Sequence, residues 1–95
     1  MEMNLQEIRE KIDGIDDQII QLFSQRMQLV TQVAAYKKEN GIPILDTGRE
    51  DAVLERLSKK TGEELAPYAK RIYQTLFAVS REYQKVQLDQ SGEMG

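Results

Sequence analysis

The chain has no cysteine, no histidine and no tryptophan. Without cysteine there is no disulfide and no thiolate nucleophile. Without histidine, the commonest general base and the commonest metal ligand are both missing. No metal and no cofactor are therefore expected. Proline occurs only twice, at Pro43 and Pro67, and aromatic residues make up 6%. No apolar run approaches the roughly 20 residues of a membrane span. The opening stretch, Met1 to Lys11, is charged and lacks the apolar core of a signal peptide. A cytoplasmic setting fits these absences. Basic residues are outnumbered, 13 against 16, for a net charge of −3. Nucleic-acid binders usually carry a net basic face, so this balance argues against that class.

What remains is the composition of long amphipathic helices, with 31% of residues charged. A chain of 95 residues is one domain. A domain this small buries a modest share of its surface, and pairing with a second chain would raise it. Leu5, Ile12, Ile19, Arg26 and Val33 recur every seven residues, and so do Ile8, Ile15, Leu22, Leu29 and Tyr36. Interleaved, the two series make a helix seam. The expected helix runs from near Asn4 to near Glu39 and stops at Asn40-Gly41. About 35 residues at about 1.5 Å each reach about 50 Å. The remainder of so short a chain cannot cover that length, so a homodimer built on this helix is expected.

Ile42-Pro43-Ile44-Leu45 forms a connection, because proline pushes the residue before it toward extended geometry. Asp46 is placed to cap a second helix with the apolar stripe Val53, Leu54, Leu57, ending at Thr61-Gly62. A third helix starts near Pro67, a residue tolerated in a first turn. Its stripe is read as Ala69, Ile72, Tyr73, Leu76, Val79, Tyr83 and Val86. The expected domain is residues 1–88. The polar stretch 89–95 is expected to be a disordered tail or the start of a linker. The fold class is all-α, with three helices: long, short and medium.

Several polar residues do not fit a plain bundle. Arg26 interrupts the apolar seam. It can set register in a dimer, snorkel outward, or face an anion, since an unpaired buried guanidinium is costly. Lys37, eleven residues on, returns to within about 20° of the same face, about 16 Å along the axis. The two cations can address opposite ends of a small dianion, or Lys37 can simply favour the helix dipole. Arg9 is about 100° around and about 25 Å from Arg26. Within one chain it cannot serve the same site. It either pairs with Asp13 at i+4 or reaches a partner's site in an antiparallel dimer. Asp46, Arg49 and Glu50 crowd one helix start, where acids suit the dipole and an arginine does not. Ser80 and Gln84 lie beside the third stripe, either as a half-buried polar edge or as hydrogen-bonding groups for a ligand.

These residues carry a resemblance to the all-helical chorismate mutases over about residues 4–88. The matching features are Leu-x-x-Ile-Arg-x-x-Ile-x-x-Ile-Asp from Leu5 to Asp16, Arg26 with Lys37, Pro43, Asp46-x-x-Arg49-Glu50, and Ser80 with Gln84. The resemblance implies the rearrangement of chorismate to prephenate, toward phenylalanine and tyrosine. It also implies an intertwined homodimer with sites shared between chains. In that pattern Arg26 and the partner's Arg9 grip the substrate carboxylates, assisted by Lys37. Lys37 and Gln84 donate to the ether oxygen. Glu50 and the backbone near Asp46 hold the ring hydroxyl. Arg49 helps fix the carboxylates or the acids, and Ser80 contacts a carboxylate. Leu45 and Gly48 depart from the polar residues often found beside the cap in relatives. Two other readings fit the same chain: an isochorismate pyruvate lyase on this scaffold, and a non-catalytic helical dimerisation module. Domains of this kind also occur fused to other enzymes of the aromatic pathway.

Overall fold

Asn4 opens the first helix by accepting the Glu7 amide N–H on its side-chain oxygen at 2.9 Å. Helix α1 then runs unbroken over Leu5–Glu39. Its end is a Schellman motif. The Ile42 N–H reaches back to the Lys37 carbonyl at 2.8 Å, and the Gly41 N–H to that of Lys38 at 3.4 Å. Gly41 has a φ of 63°, the left-handed conformation this motif requires. Helix α2 covers Thr47–Thr61. The Asp46 side chain caps it by accepting the Arg49 N–H at 3.0 Å. Gly62, at a φ of 84°, ends it. Helix α3 covers Ala66–Met94. The computed structural model describes residues 4–94, with side chains as far as Asp89. Helix α3 thus continues past the expected domain end at residue 88, and Gly95 lies outside the described residues.

Helix α3 is the element both others pack against, while the backbones of α1 and α2 stay apart. Arg26 meets Ser80, and farther along Lys38 and Glu39 share a cavity with Gln87 and Leu88, so α1 and α3 run in the same sense; α2 and α3, joined by residues 62–65, pack as an antiparallel hairpin. The core is small. It consists of Val30 and Ala34 on α1, Val53 on α2 and Phe77 on α3. Tyr73 packs edge-on to Phe77 with ring centroids 5.9 Å apart.

The packed face of α3 shares Ala69, Tyr73, Leu76 and Tyr83 with the stripe read from the sequence, all four half-buried, and differs in the rest. Ile72 is 67% exposed, and Val79 and Val86 also face out. The buried positions are Phe77, Ser80 and Gln84. Helix α3 therefore packs a mixed face on its own chain and leaves Ile72, Val79 and Val86 open. Helix α1 behaves in the same way. Its seam residues from Leu5 to Leu22, and on to Leu29, Val33 and Tyr36, are exposed, while Val30 and Ala34 meet α3. The radius of gyration is 17.3 Å with extents of 62 × 28 × 14 Å. A compact domain of this length has about 13 Å. No helix among the described residues is long and apolar enough to cross a membrane.

Candidate active site

Each helix contributes to one cavity through the same spacing. Arg26, Leu29, Val30, Val33 and Lys37 line it from α1. Asp46, Arg49, Glu50 and Val53 line it from the start of α2. Phe77, Ser80, Arg81 and Gln84 line it from α3. Steps of three and four residues keep such a set on one helix face. Ile44, from the loop after Pro43, closes one end. The volume is about 270 Å³, near the lower edge of the roughly 300–1,000 Å³ of small-molecule sites.

Arg26 does not snorkel. It is half-buried, and its Nη1 donates to Ser80 Oγ at 2.9 Å across the α1–α3 contact. Lys37 does more than favour a helix dipole. Its Nζ donates to the Ile44 carbonyl at 2.7 Å, tying the loop over the cavity mouth. The Schellman motif fixes the Lys37 backbone, so this ammonium is held from both ends. Ser80 and Gln84 are not a half-buried edge. Each is only 6% exposed. The Gln84 side-chain oxygen is buried with no hydrogen-bond partner. That oxygen is an acceptor left for a donor to complete.

Asp46 spends its carboxylate on the cap, and the Gly48 beside it leaves that cap intact. Arg49 is exposed at the cavity rim and makes no ion pair among the described residues. Glu50 is half-buried and pairs with Arg81. Sequence reasoning passed over Arg81. The available signal was its spacing, one residue after Ser80 and three before Gln84. Arg9 lies outside the cavity, on the exposed first half of α1, and forms no ion pair with Asp13.

The cavity therefore holds four cations against two carboxylates, a surplus of two positive charges. A valine-rich wall and buried neutral donors complete it. Such a lining suits a small dianion with an apolar body. A family model described as chorismate mutase type II matches residues 8–85. The chain belongs to the type II chorismate mutases. The match takes in each candidate residue from Arg9 to Gln84, and the family's all-α fold agrees with the three helices found. A chorismate mutase of Methanocaldococcus jannaschii is 36% identical over 89 residues, covering 92% of this chain and 90% of the relative. The T-protein of Haemophilus influenzae is 43% identical over 51 residues, which is 54% of this chain and 14% of that protein. A bifunctional chorismate mutase/prephenate dehydratase of Buchnera aphidicola is 34% identical over 79 residues, 81% of this chain and 20% of the longer enzyme.

Proposed function

We propose that the α1–α2–α3 cavity is the site at which this chorismate mutase, an isomerase, rearranges chorismate to prephenate. The observation that carries this is the meeting of Arg26, Lys37 and the buried Gln84 in one cavity with a surplus of positive charge. The reaction breaks a carbon–oxygen bond while forming a carbon–carbon bond within one molecule. No proton need move, so a cavity without histidine or cysteine has the groups it requires.

Two effects lower the barrier. The cations hold a flexible dianion in the compact conformer that reacts, a proximity effect. Pre-aimed donors then favour the negative charge that grows on the ether oxygen, and losing one such donor typically costs about 10² to 10³ in rate. Lys37 and Gln84 are assigned to that oxygen. Arg26 grips one substrate carboxylate, with Ser80 beside it. Arg49 at the rim fixes the carboxylates or the nearby acids. Glu50 and the backbone at Asp46 receive the ring hydroxyl.

The second half of the proposal is a homodimer with shared sites. The long exposed seam of α1 supplies the pairing surface, and contiguous apolar patches of that size mark interaction sites. The partner subunit's Arg9 then completes each cavity by binding the other carboxylate. The catalytic domain is assigned to residues 1–88, in the cytoplasm, with residues 89–95 as a tail or a link to another enzyme of the pathway. The bifunctional relative supports that last possibility. The direct test is loss of chorismate absorbance on adding purified protein, with prephenate identified as product. Pyruvate release from isochorismate, without chorismate turnover, would instead favour the lyase.

A further inference from the structure

We propose that Arg81 is a positioning residue that holds the Glu50 carboxylate and cancels its charge, so that the cavity keeps its affinity for a dianion. The inference rests on reading this cavity as the chorismate site. Arg81 on α3 reaches Glu50 on α2 across the cavity wall. The two side chains are 31% and 23% exposed, so water screens this pair less than a surface pair. The charges around Glu50 come from every helix: Arg26 and Lys37 on α1, Asp46 and Arg49 on α2, Arg81 on α3. The Asp46 carboxylate already accepts the Arg49 N–H. Glu50 is the lining carboxylate that pairs with a side-chain cation. Arg81 supplies it and leaves the other three cations to the ligand.

Removing the Arg81 charge halves the surplus and leaves a bare carboxylate facing the substrate carboxylates. That penalty falls on substrate binding. It is felt about equally in ground and transition states, because both carry the two carboxylates. A structural tie between α2 and α3 predicts something else: loss of fold, or loss of turnover rather than of substrate binding.

The test is steady-state kinetics of the full chain on chorismate at about pH 7.5, with circular dichroism as a check on folding. For Arg81→Gln the expected result is a KM raised about tenfold or more, with kcat within about threefold of wild type. In a Glu50→Gln background, where no carboxylate needs the cation, adding Arg81→Gln should change KM by less than about threefold. Arg81→Lys keeps the charge and should stay within about threefold of wild-type KM. It carries the test if Arg81→Gln does not fold. An unchanged KM in Arg81→Gln overturns the assignment, as does an undiminished effect of Arg81→Gln in the Glu50→Gln background, or an equal defect in Arg81→Lys. A wild-type chain without chorismate turnover overturns the reading of the cavity, and this assignment with it. Turnover by wild type with an unchanged Arg81→Gln overturns this assignment alone.

Discussion

The two halves of α1 share one heptad pattern and lead opposite lives. From Leu5 to Gln25 every residue is exposed, including Ile12, Ile15, Ile19 and Leu22. From Arg26 to Glu39 the helix packs on α3, buries Val30 and Ala34, and turns Arg26 and Lys37 into a cavity. Periodicity alone does not tell what covers a seam. It tells that something must. In the second half, α3 covers a face adjacent to the seam and takes Arg26 from it, while Leu29, Val33 and Tyr36 stay exposed. In the first half no described residue of the same chain buries any face. The charged residues divide in the same way, with Arg26 and Lys37 in the packed half and Arg9 in the bare one.

The largest effect should come from spoiling the bare half. Burying an isoleucine side chain contributes roughly 1.5–3 kcal/mol. Ile12→Glu combined with Ile19→Glu removes two such side chains from each copy and adds charge at the seam. Sedimentation should show a dimer becoming monomer, with activity lost although the cavity residues are untouched. A variant that remains dimeric would place the pairing surface elsewhere. Lys37→Ala strikes the packed half instead. Turnover should fall by about 10² to 10³ while the dimer and its helicity persist. Near-normal turnover would remove Lys37 from the ether oxygen. The smallest effect sharpens the contrast within the cavity. The Gln84 amide donates at any ordinary pH, whereas a carboxyl donates only when protonated. Gln84→Glu should therefore lose activity as pH rises from about 5 to about 8, by about tenfold or more, while wild type stays nearly flat. A flat profile in the variant would show that this side chain does not donate to the reacting oxygen.

The helix boundaries were legible because their signals are local. Asn4, Asp46, the Asn40-Gly41 pair and Gly62 each act within a few residues, and each sits where its chemistry places it. Part of the cavity lining was legible as anomalies: Arg26 within an apolar seam, Lys37 returning to its face, and Arg49 at a helix start that suits acids. What was not legible depends on contacts far apart in sequence. The buried face of α3 carries Ser80 and Gln84, so a reading that equates buried with apolar selects Ile72, Val79 and Val86 instead. Those three are apolar because they belong to a face its own chain leaves open. The Arg81–Glu50 pair spans two helices, and the spacing of Arg81 beside Ser80 does not tell which acid it meets.

The central claim is that each site takes its body from one chain and Arg9 from the other. Arg9→Ala and Lys37→Ala chains, each inactive alone, can be mixed in equal amounts under conditions that exchange subunits. Half the dimers are then mixed, and each mixed dimer has one site with every residue intact and one with both defects. Chorismate turnover should return to about a quarter of the wild-type level per chain, as two-fold symmetry with random pairing requires. No recovery, with exchange confirmed by mass spectrometry of the mixed dimer, would contradict a shared site.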